Sequence, residues 1–404
     1  MLSKKIYLVT LLLMVTFMPW NATAFNRGDL TPPKTSNITP NTVEDLLASS
    51  LNAISAGQFD QAIQHLDKLL SIAPNFKLAH LVKGDLLMAR AQRFQDFGSA
   101  SPRSEDVTGY RDEARKRLER YLSQNISAQM PVDVWQLDQN QRYVFIVDTT
   151  QSRLFVYRNA DGAPKYVSDF YITIGKNGSE KKTQGDKKTP LGVYFTETQL
   201  KQKLADMYGD AAYPLNYPNE WDLHQGKTGN GIWLHGTPSD TYSRAPQSSD
   251  GCIVLSNADL KTLSPIMKAG NIPVIVSKNA NWQKNANTHQ DKVNLMNRLE
   301  QWRKDWQSQS TDDYLAHYSK DFFSSNMNIN QWSTYKRKIQ AHKPKVEIQL
   351  DNVSAFNYPD SPQTMVVVTF EQSFQSKALS NKMRKRQYWI QENKDWKIIY
   401  EGAA

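Results

Sequence analysis

Cysteine is almost absent from this chain, since Cys252 is the only one among 404 residues. A lone cysteine excludes an internal disulfide, and the seven histidines are scattered, so no cluster has the spacing of zinc ligands. We therefore predict no metal and no cofactor. Nucleic-acid-binding motifs are also missing. Tryptophan and lysine are interleaved, but without such a motif we predict no nucleic-acid partner.

Long apolar runs are also scarce, and the longest, residues 6–20, is short for a membrane span. Lys4 and Lys5 precede it and small residues at 22–24 follow, which is the order of a secretory signal. We predict a signal peptide over residues 1–24, cleaved after Ala24, a periplasmic location, and no membrane span in the mature chain. An uncleaved anchor is the alternative. Export makes a lone thiol unusual, because exported cysteines normally pair.

The chain is basic, with a formal net charge of +9. Removing the two lysines of the predicted signal leaves +7 on the mature part. This charge favours an anionic neighbourhood, such as a cell-wall polymer or an outer-leaflet surface. A merely soluble basic protein has the same composition, so charge alone does not decide between the two.

Helical periodicity begins after a linker at 25–41 that is rich in Pro, Ser, Thr and Asn. It predicts an N-terminal α-helical module over residues 42–127, with two apolar faces formed by Leu47, Leu51 and Ile54 and by Ala62, Leu66 and Leu69. The run "AGQFDQAI…LL…APN" resembles a tetratricopeptide helix pair. One repeat cannot bury its own face, so we expect the module to pack on the next domain. The helical module could either bind a protein partner or serve as a structural cap, and the sequence favours neither role.

Short β-branched and aromatic runs separated by turns fill residues 131–278 and predict a mainly-β domain. Residues 199–222 interrupt it, and we expect a helix and a Pro/Tyr-rich loop there. A polar linker is predicted at 279–291. Residues 292–404 begin with a helix and continue with four strands, which predicts a compact α+β domain. The fold class is therefore multidomain α+β. The stripe expected on that helix is formed by Leu295, Leu299, Trp302 and Trp306.

Cys252 and His235 are the candidate catalytic pair. His235 ends the apolar run "GIWL" and Cys252 opens the run "CIVL", so both lie at strand ends that a sheet can bring together. A thiol needs a base or a positive neighbour to become a nucleophile. Gly236 allows a close turn, and the backbone amide of Gly251 is open to a substrate carbonyl in this interpretation. A buried structural thiol beside an unrelated histidine is the alternative.

"HG" followed by "S-x-GC" resembles the signature of the L,D-transpeptidase catalytic domain, the YkuD-like fold. The upstream "GKNGSEKKTQGDKKTPLGVYF" is similar to the family's glycine-rich lead-in, and both blocks occur in the family's order. The resemblance covers roughly residues 132–277. It implies that Cys252 is the nucleophile and His235 the general base. It also implies that Gly236 orients the imidazole and that three further residues shape the oxyanion side: Ser249, Asp250 and Gly251.

The sequence departs from the family pattern at two positions. Many members have histidine directly before the Gly-Cys pair, where this chain has Asp250. Many also have arginine or asparagine soon after the cysteine, where this chain reads "IVLSN" with Val254. A carboxylate raises the pKa of an adjacent thiol unless it points away. These changes indicate a subfamily and leave the reaction outcome open.

The resemblance implies attack on the bond between the diamino acid and D-alanine in peptidoglycan stem peptides, through a thioester. An amine resolving the thioester gives a crosslink or an exchange. Water resolving it gives an L,D-carboxypeptidase that trims tetrapeptides to tripeptides in cell-shape control. A wall- or partner-binding module with a degenerate site is a further alternative.

The C-terminal segment, with "QWRKDW…YLAHYSKDF" and "RKRQYWIQENKDWKIIYEG", resembles the nuclear-transport-factor-like (SnoaL-like) cone. Relatives that join such a cone to this catalytic domain include cell-shape L,D-carboxypeptidases. Such cones hold small ligands or bind partners. Four side chains are a second candidate site, with simple packing as the alternative: Asp312, Asp313, His317 and Tyr318.

Overall fold

The computed structural model describes eight stretches of the chain: residues 42–91, 104–123, 129–268, 270–283, 289–324, 327–341, 346–376 and 380–404. The predicted signal peptide and the linker at 25–41 lie outside them. Within these stretches, no helix combines the length and the apolar character needed to cross a membrane.

The N-terminal module is helical, as predicted. Both predicted apolar faces are buried in one core, which confirms the periodicity. Gly57 has a φ of 74°, a value that glycine adopts easily, and it turns the chain between the first two helices. Pro74 follows the second helix at its end. Within its described residues the module contains α1 (Thr42–Ser55), α2 (Phe59–Ile72), α3 (Lys77–Arg90) and α4 (Ser104–Leu122).

The central region is mainly β, as predicted. Its elements in chain order are β1 (Met130–Pro131), β2 (Val134–Gln136), β3 (Tyr143–Asp148), β4 (Arg153–Ala160), β5 (Ala163–Tyr171), β6 (Ile174–Gly175), β7 (Gly192–Phe195), β8 (Ala212–Pro214), α5 (Glu220–His224), β9 (Trp233–His235), β10 (Gln247–Ser249), β11 (Ile253–Val254), α6 (Asn257–Met267), β12 (Pro273–Ser277) and β13 (Trp282–Gln283).

A five-stranded sheet with the order β5-β4-β3-β12-β7 forms the framework of this region. Both faces of β3 are buried, because its successive side chains enter two different cores. Phe145 and Val147 pack towards the smaller sheets, and Val144 and Ile146 pack towards the C-terminal domain. The smaller sheets are β11-β9-β8 and β10-β6, and they carry the candidate site.

The helix expected within residues 199–222 does not form over the run "QLKQKLADM". A single 3₁₀ turn, Asp206–Tyr208, is present instead. The Leu200 N–H donates to the Ala212 carbonyl at 3.0 Å, and the Glu197 N–H donates to the Pro214 carbonyl at 2.7 Å. These bonds hold the segment extended beside β8, so tertiary pairing overrides helix propensity.

The C-terminal region is α+β, as predicted, and the predicted stripe on its first helix is buried. The helix begins at residue 289, inside the predicted linker, and β13 within that linker pairs with β1. The elements are α7 (His289–Ser308), α8 (Thr311–Leu315), β14 (Tyr318–Ser324), β15 (Met327–Asn328), α9 (Ile329–Gln340), β16 (Glu347–Asn357), β17 (Met365–Gln375), β18 (Ser380–Glu392) and β19 (Asp395–Ala403).

The central and C-terminal regions share one hydrophobic core and one sheet. The seven-stranded sheet has the order β15-β14-β19-β18-β17-β16-β2, so β2 from the central region covers the outer edge of β16. One core cluster joins Ile146 and Phe155 of the central sheet to Phe356, Val367 and Tyr388 of the C-terminal sheet. The two regions therefore fold against each other as one packed body.

Candidate active site

Parallel pairing of β9 with β11 places the candidate pair. Leu234 lies opposite Ile253, and His235 lies opposite Val254. Leu234 and Ile253 are fully buried in the core below. Because side chains alternate along a strand, the residues flanking them point to the other face. Cys252, directly before β11, and His235, at the end of β9, therefore belong to the same side of this small sheet.

The His235 ring is buried and is oriented by its neighbour. Its Nδ1 lies 2.7 Å from the Gly236 carbonyl oxygen. A carbonyl only accepts, so Nδ1 carries the proton and Nε2 keeps a lone pair. Burial, with repulsion from Arg244, lowers the pKa of His235 to about 4, although the Gly236 carbonyl opposes the shift. His235 is therefore a neutral imidazole with a basic nitrogen at physiological pH.

Asn257 fixes the turn after His235. Its side-chain amide donates to the Thr237 carbonyl at 2.8 Å, and its Oδ1 accepts from the Asp210 N–H at 3.1 Å. A methyl group placed on Gly236 would overlap Asn257 Oδ1. Glycine at 236 is thus required by close packing, and the carbonyl that orients His235 depends on it.

Cys252 is half-buried and holds a neutral thiol. Its Sγ donates to the Gly231 carbonyl at 3.4 Å, and no hydrogen bond joins Sγ to the ring of His235 in this conformation. Burial raises the pKa of Cys252 to about 11, and the nearby Trp233 N–H partly opposes that shift by favouring the thiolate. The thiol and the imidazole are therefore both neutral before a substrate arrives.

The three residues before Cys252 are tied together. Ser249 Oγ donates to the Cys252 carbonyl at 2.7 Å and accepts from the Gly251 N–H at 3.1 Å. The Gly251 amide is therefore occupied by a hydroxyl and is not open to a substrate carbonyl, contrary to the sequence-based interpretation. Asp250 is exposed and forms an ion pair with Lys176 at 2.8 Å. Its charge still raises the pKa of Cys252, but less than burial does.

Arg244 is a site residue that the sequence analysis missed. It lies between His235 and Cys252 in the chain, and its guanidinium donates to the Ser248 carbonyl. Its charge lowers the pKa of both members of the pair. The available signal was a single basic residue, in "SRAPQ", inside the interval that separates the two candidate catalytic residues.

The second candidate site of the sequence analysis does not converge. His317 Nε2 bonds Asp305 at 2.7 Å, and the Tyr318 hydroxyl contacts Glu401 at 2.9 Å inside the aromatic core. Asp312 pairs with Arg337, and Asp313 accepts from the Ser310 hydroxyl. Across the described stretches, no three His, Cys, Asp or Glu side chains are grouped as metal ligands would be.

A cavity of about 1080 Å³ lies away from the candidate pair, between the start of β5, β16 and α7. Its lining includes Trp135, Arg142, Arg158, Lys292 and Asn352. None of the six predicted site residues lines it. This cavity and the candidate pair are therefore separate features of the structure.

Two protein-family models match the chain. The L,D-transpeptidase catalytic domain (YkuD) matches residues 142–276, and the Cds6 C-terminal NTF2-like domain matches residues 294–402. The first match includes both His235 and Cys252. A comparison with curated proteins found no match.

Two solved structures are similar to most of this chain and match it over nearly their whole length. Bd1075 from Bdellovibrio bacteriovorus is 26% identical with a TM-score of 0.59, over 68% of this chain and 98% of that chain. The helical cell shape determining protein Pgp2 from Campylobacter jejuni is also 26% identical with a TM-score of 0.59, over 68% of this chain and 95% of that chain. These findings confirm the resemblance noted in the sequence. The chain carries an L,D-transpeptidase catalytic domain followed by a C-terminal NTF2-like domain.

Proposed function

We propose that this protein is a periplasmic cysteine acyltransferase that acts on peptidoglycan stem peptides, with Cys252 as nucleophile and His235 as general base. The observation that carries the proposal is the parallel pairing of β9 and β11, which puts both residues on one side of a sheet inside the matched domain. The net positive charge of the chain suits an anionic wall polymer.

In the first half of the reaction, Nε2 of His235 takes the thiol proton as Sγ of Cys252 attacks the carbonyl carbon between the diamino acid and D-alanine. The C–N bond then breaks, D-alanine leaves with the proton from His235, and a thioester remains. His235 is unprotonated when the substrate binds, so its Nε2 can accept the proton. Transfer from a thiol with a pKa of about 11 to this imidazole is uphill, so we place it in the same step as the attack of Sγ on the carbonyl carbon.

In the second half, an acceptor amine loses a proton to His235 and attacks the thioester, which gives a crosslink or an exchanged residue and restores the thiol. The incoming amine occupies the side from which D-alanine left. Both halves use the same two residues, so the identity of the acceptor decides the product.

Hydrolysis of the thioester is the second candidate, and it would make the protein an L,D-carboxypeptidase. The similarity to Pgp2, which determines helical cell shape, supports it. Trimming a tetrapeptide to a tripeptide removes the bond that a crosslinking reaction attacks. Such trimming would change how many stems are joined, and therefore the shape of the wall.

One experiment tests the proposal and separates the two products. Purified protein is incubated with disaccharide-tetrapeptides, and the products are resolved by mass. Crosslinked dimers support transpeptidation, and disaccharide-tripeptides support hydrolysis. Cys252→Ala should abolish either product while keeping the fold, and turnover by that variant would refute the role of Cys252.

A binding module with a degenerate site would give neither product. Carbapenem treatment distinguishes this third possibility, because an active thiol opens the lactam and the protein gains the mass of the drug. Cys252→Ser should prevent the gain. A wild-type protein that gains no mass, under conditions that label an active relative, would favour the binding module.

A further inference from the structure

Arg244 is fixed in the loop of residues 236–251, here called the active-site loop, which joins His235 to the segment before Cys252. Its carbonyl accepts from the Tyr171 hydroxyl at 2.9 Å and from Thr173 Oγ1 at 3.1 Å. Its guanidinium donates to the Ser248 carbonyl. Main chain and side chain are both anchored, so the cation has a defined place beside the strand that leads to Cys252.

The guanidinium of Arg244 has no carboxylate partner among the described residues. Asp250 attracts the guanidinium electrostatically, but its carboxylate forms its ion pair with Lys176, at 2.8 Å. Arg244 is also half-buried, and burial lowers its pKa. A guanidinium has five N–H donors arranged to grip a carboxylate through two parallel bonds. A partly desolvated arginine with one carbonyl partner is therefore prepared to bind an anion.

The helical module contacts the active-site loop on both sides of Arg244. On one side, Ser243 Oγ donates to Glu113 of α4 at 2.6 Å. On the other, Gly109 of α4 packs so closely that a Cβ at this position would lie 2.9 Å from the Cβ of Ala245. Only a residue without a side chain allows the loop to approach the helix this far.

Further contacts hold the rest of the loop to the same module. Asn75 donates from its amide to the Ser239 carbonyl at 3.1 Å, and the rings of Phe76 and Tyr242 lie 4.6 Å apart. The module itself is attached to the central sheet through Arg120 and Asp169, whose atoms lie 2.5 Å apart. The active-site loop thus has contacts with the helical module on one side and with β5 and the residue after it on the other.

We propose that Arg244 binds a carboxylate of the donor stem peptide beside the scissile bond, and that the helical module positions this arginine. The inference rests on the proposed function and deepens it. The module is then part of the substrate site, so neither of the roles considered from the sequence, partner docking and a cap, describes it fully. Donor stems offer two sources of such a carboxylate, the C-terminal D-alanine and the side chain of the diamino acid.

The first test measures kcat/KM with three synthetic disaccharide-tetrapeptides: the free acid, the form amidated at D-alanine, and the form amidated at the diamino acid. Arg244→Gln should lower kcat/KM for the free acid by about 10- to 100-fold, as expected for the loss of a charge-assisted hydrogen bond. One of the two amidated forms lacks the carboxylate that Arg244 recognises, and for that form kcat/KM should be the same in Arg244→Gln and in the natural protein. That form identifies the source.

A general loss of activity is distinguished by the neutral reagent iodoacetamide, which modifies the thiol without needing Arg244. Because the charge of Arg244 lowers the pKa of Cys252, Arg244→Gln should slow this alkylation somewhat at every pH. A rate that still rises tenfold per pH unit from pH 6 to 9, with an unchanged midpoint of unfolding in urea, shows that the site of Arg244→Gln is intact. An equal loss with all three substrates would overturn the carboxylate role. Activity in Cys252→Ala would instead overturn the proposed function, so the two failures are separable.

The second test concerns the module. Gly109→Val should push on Ala245 and reduce the preference for the free acid, as Arg244→Gln does, while Thr108→Val, on an exposed position of the same helix, should not. Ser243→Ala removes the bond to Glu113 together with one oxygen atom, adds no bulk, and should act in the same direction. If folded Gly109→Val and Ser243→Ala both keep the wild-type preference, the module does not position Arg244.

Discussion

The ionisation of Cys252 is the most direct check on the chemistry of the site. Burial raises the pKa of its thiol to about 11, and burial together with Arg244 lowers the pKa of His235 to about 4. Between these values the pair is neutral, with the thiol protonated and the imidazole uncharged. A preformed thiolate–imidazolium pair has the opposite order, with the thiol ionising first.

The magnitude follows from the thiolate fraction. At pH 7 a thiol with a pKa of about 11 is ionised to about 1 part in 10⁴, against about 3% for an unperturbed cysteine near 8.5. The more basic thiolate is intrinsically more nucleophilic, by about 10-fold for this difference. We therefore expect Cys252 to react with iodoacetamide about 20- to 30-fold more slowly than an exposed cysteine at pH 7.

The assay is alkylation followed by intact-protein mass. Because the chain has one cysteine, each added group reports on Cys252 alone, and the same protein unfolded in urea supplies the unperturbed rate. The folded rate should rise tenfold per pH unit from pH 6 to 9. His235→Gln should change it little. A plateau across this range, or a rate above that of the unfolded chain, would refute the neutral pair.

Three further predictions concern packing and pH. Arg153→Met leaves Glu44 buried with one partner fewer, so it should lower the free energy of unfolding in urea by about 3–5 kcal/mol. The control Lys83→Met breaks the more exposed pair with Asp67 and should lower the free energy of unfolding by less than about 1 kcal/mol. Equal effects of the two substitutions would count against this reasoning. Gly236→Ala should reduce turnover about 100-fold by moving the carbonyl that orients His235, with partial recovery when Asn257→Ala is added, and full turnover in the single variant would contradict it. Burial raises the pKa of Asp133 to about 6, so the folded state holds an extra proton between about pH 4 and 6 and loses stability as pH rises through that window. In urea titrations, the free energy of unfolding of Asp133→Asn should therefore rise relative to that of the natural protein by about 3 kcal/mol between pH 4 and 7. A difference between the two proteins that does not change with pH would exclude this origin.

Local patterns were enough to predict the elements that bury a face. The periodicity around Leu47 and Leu66 and the stripe at Leu295 and Trp302 all enter cores, because a helix must hide its apolar side whatever its neighbours are. The strands were predicted for a similar reason, since β-branched and aromatic runs bounded by turn residues have few other structures available.

Features that depend on distant partners were not predictable. The segment after residue 199 has helical composition, but its backbone pairs with the strand near Ala212. The amide of Gly251 seemed open because the partner hydroxyl of Ser249 is set by a turn geometry that one sequence does not reveal. The position of Arg244 depends on Tyr171 and Thr173, which bond its carbonyl, and on α4, which packs against the next residue, Ala245. All of these partners are distant in the sequence.

The strand β2 has a consequence for how such a protein can be built from parts. β2, which precedes the matched catalytic segment in the chain, is the edge strand of the C-terminal sheet. Phe356 and Tyr388 of that sheet share a core with the central sheet. Cutting the gene at the borders of the matched segments would expose an unpaired strand edge and a large apolar surface, both of which invite aggregation. A catalytic segment that is exchanged between relatives should therefore stay folded only when the C-terminal domain is transferred with it.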